Sequence, residues 1–243
     1  MNQILVTEKL YITPEFKRKR RLYKIEFFLS VFLVCILFSY YVYAEYDRNK
    51  NEKVSQEILE QIATTSSIDT TIKKPEDDII RIIIDDQEEI TPEQEERIQE
   101  VQENSIVYTA ANGIEYETDA ILNIPALNIQ YPVLSDTSEG LLEISLNKYW
   151  GPEPNEEGNY CIVGHNYRNG KMFGTLSSIK NGDIVELTDG YGKMVKYKVY
   201  NKYVVKPTDT SCTTQHTNGY RELTLITCTN YGTERLVVKC REI

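Results

Sequence analysis

Leu223-Thr224-Leu225-Ile226-Thr227-Cys228-Thr229-Asn230-Tyr231-Gly232-Thr233-Glu234-Arg235-Leu236-Val237-Val238-Lys239 reads as two apolar strands, Leu223–Thr227 and Arg235–Lys239, joined by a polar turn. Working outward, the same texture recurs. Asp183–Leu187 and Met194–Val205 flank the turn Thr188-Asp189-Gly190-Tyr191-Gly192, a hairpin signal. Apolar and charged residues alternate in Val195-Lys196-Tyr197-Lys198-Val199, so one face of that strand is wet. Tyr160–Val163 is a further apolar run, closed by Gly164. Ala120–Ile124 and Ile129–Leu134 are separated by Pro125-Ala126-Leu127-Asn128. Helical periodicity is brief, at Glu139–Leu146 and Phe173–Ile179. Many short strands with polar turns predict an all-β domain with short helices, a small barrel or sandwich, over residues 108–243. That length holds one core and is too short for two.

The residues before this domain differ in charge and texture. Residues 1–24 carry seven Lys/Arg against two Asp/Glu, whereas residues 45–107 carry seven against eighteen. The net charge of −10 therefore belongs mainly to one segment. An acidic chain without a basic face on its folded part is not built for nucleic acid. Between the two segments, Phe27–Ala44 runs eighteen residues without a charge. At about 1.5 Å per residue this nearly crosses a bilayer core. Ile25 and the interfacial Tyr40, Tyr41 and Tyr43 extend it, which gives a transmembrane helix over 25–44. Lys17, Arg18, Lys19, Arg20, Arg21 and Lys24 precede it, and Glu45 and Asp47 follow. That asymmetry puts residues 1–24 in the cytoplasm and everything after Glu45 outside. The competing reading is a cleaved signal peptide, since Val42-Tyr43-Ala44 loosely fits a cleavage site. The apolar stretch exceeds the usual length of such peptides, which favours a retained anchor.

Residues 45–107 read as an acidic extracellular stalk. Val54, Ile58, Leu59 and Ile62 recur at helical spacing, predicting a short amphipathic helix after the membrane. Thr64–Thr71 reads as flexible, and Asp77–Asp86 is a β-branched run fenced by acids. That run would be an edge strand, a docking segment or a cover for a groove. Thr91-Pro92-Glu93-Gln94 opens a predicted helix to about Glu103. A solvated spacer is the simplest reading of the whole segment.

Chemistry has few candidates here. Of the two histidines, His165 emerges where an apolar strand meets a loop, and His216 sits in a polar loop. A lone histidine is more often structural, so company decides. Cys35 lies in the span, Cys161 inside a strand, Cys212 in a loop and Cys240 near the last residues. Cys228 ends a strand, as His165 does, and Arg235 begins the next. A thiol needs a base to become a nucleophile, and a guanidinium can hold the oxyanion that follows. Three groups at three strand ends would converge on one rim of a barrel. There is no CxxC and no His/Cys cluster at zinc spacing, so no metal or other cofactor is expected. The acids recurring at Glu115, Glu117, Glu139, Glu143 and Glu153–Glu157 leave calcium as the alternative, although acidic loops are usually just solvated.

With these residues in view, Thr224-Leu225-Ile226-Thr227-Cys228 followed by Arg235-Leu236-Val237-Val238 resembles the TLxTC…R motif of sortases. Ile162-Val163-Gly164-His165 is similar to the segment that carries their histidine, and Ile124–Ile129 to a segment near the start of their domain. The resemblance spans about residues 115–243. It implies a sortase-type closed β-barrel acting as a cysteine transpeptidase on the outer face of the membrane. Cys228 maps to the nucleophile, His165 to the acid/base and Arg235 to the oxyanion and substrate residue, with Thr227 helping to line the substrate groove. The implied partners are surface proteins or pilins bearing an LPxTG-like sorting signal, and an amine acceptor on peptidoglycan or pilin. Subclass features are mixed. Gly164–Gly174 and Asn128–Val133 look like class B, whereas the short Thr229–Glu234 loop resembles class D and pilin-polymerising members. No second span follows Ile243, unlike many pilin polymerases. The alternatives are a cysteine peptidase that mainly hydrolyses its thioester and a non-catalytic surface binding module.

Overall fold

The computed structural model describes residues 14–66, 106–110 and 113–243. The expected acid-fenced run at Asp77–Asp86 and the expected helix from Thr91 to Glu103 lie outside the described residues. So does the part of the Thr64–Thr71 stretch beyond Ser66. The chain divides into two compact units, Met1–Asn49 and Lys50–Ile243.

Helix α1 (Pro14–Ser66) supplies all described residues of the first unit. Its apolar side chains there, Phe27, Phe28, Phe32, Leu37 and Phe38 among them, are exposed. Among the described residues α1 is the one helix long and apolar enough to cross a membrane.

Among its described residues the second unit holds nine strands: β1 (Ile106–Thr109), β2 (Glu115–Ile124), β3 (Ile129–Leu134), β4 (Leu146–Trp150), β5 (Gly158–Gly164), β6 (Ile184–Asp189), β7 (Met194–Val205), β8 (Arg221–Thr229) and β9 (Glu234–Glu242). One short helix, α2 (Glu139–Ile144), connects β3 to β4. Ser138 caps it, its hydroxyl accepting from the Leu141 amide at 3.2 Å. Eight strands close on themselves in the order β2-β3-β4-β5-β8-β9-β7-β6, with β6 pairing back to β2, and β1 extends β2 beyond the closure. Closure leaves no free edge in the eight-stranded ring. The β6–β7 hairpin forms around Asp189–Lys193 as its turn residues predict, the Asp189 amide donating to the Lys193 carbonyl at 3.1 Å.

Alternation sorts the strands into faces. Tyr160 and Ile162 of β5, Leu223 and Leu225 of β8, and Leu236, Val238 and Cys240 of β9 fill the barrel. Ile226 and Val237 point the other way and are roofed by Cys212 in the 3-10 turn Ser211–Thr213. A third cluster lies on the outside of β1, β2 and β3. There Val54, Ile58 and Ile62 from the last turns of α1 pack on Tyr108, Tyr116, Leu134 and Ile144. Ile58 is fully buried, worth about 1.5–3 kcal/mol by transfer. Polar ties accompany this packing: Ser55 Oγ donates to Ser145 Oγ at 3.1 Å, and Ser145 Oγ donates to the Pro132 carbonyl at 2.6 Å. The helical stripe legible in Val54, Ile58 and Ile62 is thus a docking face, and the globular unit begins inside the segment read as stalk.

Candidate active site

The expected catalytic residues follow from the registers of three adjoining strands. β5 and β8 run parallel, with Gly164 opposite Thr227. The next residue on each is His165 and Cys228. β8 and β9 run antiparallel, with Cys228 opposite Arg235. His165 and Arg235 therefore flank Cys228 from the two neighbouring strands, at one end of the barrel. His216 is exposed in the loop before β8, at the other end of the same ladder, where Gly158 pairs with Arg221.

Short bonds hold these ends together. Thr227 Oγ1 donates to the Gly164 carbonyl at 2.7 Å, and Thr227 is only 2% exposed. Asn166 Nδ2 donates to the Cys228 carbonyl at 2.8 Å, so the loop after His165 folds across the cysteine. That loop is anchored from below. Asn166 and Met172 form an isolated bridge, and the Phe173 amide donates to the His165 carbonyl at 3.0 Å. Met172 and Phe173 sit in the barrel core. The Tyr167 ring lies 5.0 Å from the imidazole, tilted by 36°. Gly164 has no room for a side chain: a Cβ there would stand inside van der Waals contact of Leu146 Cδ2 and 2.9 Å from Phe173 Cδ2. Gly164→Ala should therefore cost about 1–3 kcal/mol in stability. It should also lower activity more than stability, because the clash sits one residue before His165. Thermal unfolding alongside turnover checks this, and unchanged values in both would refute it.

On the other side of Cys228, the β8–β9 turn is a left-handed bend with Asn230, Tyr231 and Gly232 at φ 46°, 57° and 86°. Arg235 Nη1 donates to the Gly232 carbonyl at 2.9 Å and to the Glu234 carbonyl at 3.1 Å. The turn thus orients the guanidinium through one nitrogen. Arg168 of the histidine loop stacks over the Tyr231 ring at 5.8 Å, joining the two loops on the outside.

The cysteines separate by environment. Cys161, Cys212 and Cys240 are buried, whereas Cys228 is half-buried. Burial pushes the Cys161 thiol up to about 12 and raises those of Cys212 and Cys240 as well, so none of the three supplies a thiolate near neutral pH. Among the described residues no group of three His, Cys, Asp or Glu side chains is placed to hold a metal ion. The arrangement suits nucleophilic chemistry at a thiol, with a proton carrier on one side and a fixed cation on the other.

A closed eight-stranded barrel with these three strand ends defines a class, and comparison with known proteins names it. The family model for the Sortase domain matches residues 122–243, half of the chain, and the chain belongs to the sortase family. It is 31% identical to Sortase A of Bacillus anthracis over 113 residues, 44% of this chain and 50% of that protein. The match thus spans about half the length of this curated relative. The fold is similar to that of a Clostridium perfringens Sortase D5 transpeptidase, with TM-score 0.50 and 24% identity, over 61% of this chain and 88% of that one. It is likewise similar to Sortase A from Corynebacterium diphtheriae, with TM-score 0.50 and 23% identity, over 63% of this chain and 86% of that one.

Sequence reading did not single out Asn166, which bonds the Cys228 carbonyl, or the bond from Tyr131 to Glu52. The signal that could have raised Glu52 was its place on the helix whose apolar stripe needed a partner.

Proposed function

We propose that this chain is a membrane-anchored cysteine transpeptidase that cleaves an LPxTG-like sorting signal and passes the acyl half to an amine. The observation that carries this reading is the β5-β8-β9 register that sets His165 and Arg235 on either side of Cys228. The sulfur of Cys228 attacks the carbonyl of the scissile Thr–Gly bond. The tetrahedral oxyanion is held by the Arg235 guanidinium and by backbone amides near Cys228. His165 protonates the departing amine as the C–N bond breaks, leaving a thioester on Cys228. The incoming amine then attacks the thioester, gives its proton to His165 and releases the thiolate. Thr227 supports the substrate groove from beneath through its bond to the Gly164 carbonyl.

The substrates are surface proteins or pilins with a C-terminal sorting signal, and the acceptor is an amine of peptidoglycan or a pilin lysine. The test is incubation of the purified chain with an LPxTG peptide and excess hydroxylamine. A peptide hydroxamate is expected; free acid alone would mean hydrolysis, and no cleavage would overturn the proposal.

The apolar part of α1 anchors the protein, with the basic residues 17–24 in the cytoplasm and the barrel outside. N-terminal sequencing of the membrane-associated protein should find the segment before Glu45 intact. A chain beginning at Glu45 would show cleavage instead.

A further inference from the structure

The His165 loop rests on a phenol, and that phenol rests on α1. Tyr131 of β3 is 7% exposed, with its ring in the barrel core. Its hydroxyl donates to Glu52 of α1, at 2.8 Å to Oε1 and 3.1 Å to Oε2. The Met172 backbone N–H acts on the phenol oxygen as well, favouring its ionised form against the burial, and Tyr131 and Met172 belong to the same core cluster. Burial, with the Glu52 carboxylate alongside, raises the Tyr131 pKa and keeps the phenol protonated.

Met172 is where a loop of this kind needs holding. It is 1% exposed, and its φ of 50° is a left-handed conformation that a non-glycine residue adopts at a cost. It pairs with Asn166, the residue that bonds the Cys228 carbonyl, and the next residue, Phe173, bonds the His165 carbonyl. A displacement of Met172 is therefore passed to both sides of the His165–Cys228 pair. The helix end is fixed independently by Val54, Ile58 and Ile62 on the barrel wall, so Glu52 is a firm support.

We infer that Tyr131, backed by Glu52 on the juxtamembrane helix, is a positioning residue that holds the Met172 amide and through it the His165 loop. This rests on reading His165 as the acid/base of the reaction. Neither residue touches substrate. The part of α1 beyond the membrane run thereby belongs to the catalytic machinery as a brace.

The test uses the full chain in detergent micelles, with Tyr131→Phe, Glu52→Ala and the double variant. Tyr131→Phe should lower kcat for peptide hydroxamate formation about tenfold while KM stays within about twofold, because misplacement of a catalytic group acts on the bound state. Glu52→Ala should act in the same direction with a smaller loss. The double variant should be no worse than Tyr131→Phe alone, as expected for residues in one chain of contacts. The ring resonances of His165 in NMR spectra, told apart from those of His216 by a His216→Gln variant, should shift or broaden in both single variants. This arm needs no turnover. If the unaltered chain forms no hydroxamate, the functional reading fails, and the NMR arm still decides the brace. Wild-type kcat with an unchanged His165 resonance in Tyr131→Phe would overturn the inference. So would a loss that follows thermal unfolding alone in all three variants.

Discussion

Cys228→Ala should bring hydroxamate formation down to background, a loss of about 10⁴-fold or more, as removal of a nucleophile does. The expectation rests on location and on elimination. Cys228 is half-buried at the end of β8, beside the residue that bonds its carbonyl, Asn166. The other three cysteines of the globular unit are sealed: Cys161 and Cys240 are fully buried and Cys212 is 5% exposed. Cys161 also stands on the outer face of β5, paired with Thr224, three positions along the ladder from the strand ends. Replacing Cys161, Cys212 or Cys240 by alanine should therefore leave chemistry intact, apart from a packing loss of about 1 kcal/mol each. His165→Ala should be nearly as severe as Cys228→Ala, because the thiol loses its proton carrier. Hydroxamate from Cys228→Ala at the wild-type rate would refute the mechanism outright.

The second large effect concerns Arg235. Arg235→Lys should lower kcat about 10²- to 10³-fold, in the range of losing one oxyanion donor, with a small change in KM. The charge survives the substitution, so a role in long-range attraction alone would leave kcat near its original value. What is lost is geometry. One guanidinium nitrogen of Arg235 is already committed to the Gly232 and Glu234 carbonyls. An arginine can make those bonds and still present its other planar donors, whereas an ammonium drawn to the same carbonyls has no further planar donors to present beside Cys228. A tenfold rise in KM with kcat preserved would show instead that Arg235 serves ground-state binding. Thermal unfolding should move little, since Arg235 is only half-buried.

The same physical rules explain which elements were legible beforehand. β3 and β7 fall at Ile129–Leu134 and Met194–Val205, the bounds their apolar patterns predict, because turn residues fence both strands. β5, β8 and β9 extend one to three residues beyond the apolar runs, since polar residues such as Glu222, Glu242 and Asn159 continue the ladders. β4 was invisible. Its residues Leu146-Asn147-Lys148-Tyr149-Trp150 carry mixed polarity, and its parallel pairing with β3 holds only two residue pairs. Expected helix at Glu139–Leu146 stops at Ile144, with Ser145 extended and Leu146 already in β4. The Phe173–Ile179 periodicity resolves into a single 3-10 turn, Leu176–Ser178, whose apolar neighbours serve the core and anchor the histidine loop.

At the site, strand ends could be read because apolar runs stop abruptly at Gly164 and Cys228. The convergence of three ends needed the register, which depends on pairing between residues far apart in the chain. The bond from Tyr131 to Glu52 could not be read at all. Alternation marks Tyr131 as an inward-facing core residue, and only its hydroxyl, reaching Glu52 some eighty positions earlier, tells otherwise.

The parallel ladder between β5 and β8 also sets an order of events in folding. Gly164 and Arg221 are the ends of a long loop containing all of β6 and β7, so this pairing is non-local and its closure entropy must be met late. Until it forms, His165 and Cys228 belong to separate pieces of chain. The β8–β9 hairpin, by contrast, brings Cys228 and Arg235 together locally. Before the barrel closes, the chain thus has Cys228 beside Arg235 but not yet beside His165, and the three come together only in the finished fold. On the proposed mechanism the thiol would therefore lack its proton carrier until the fold is complete.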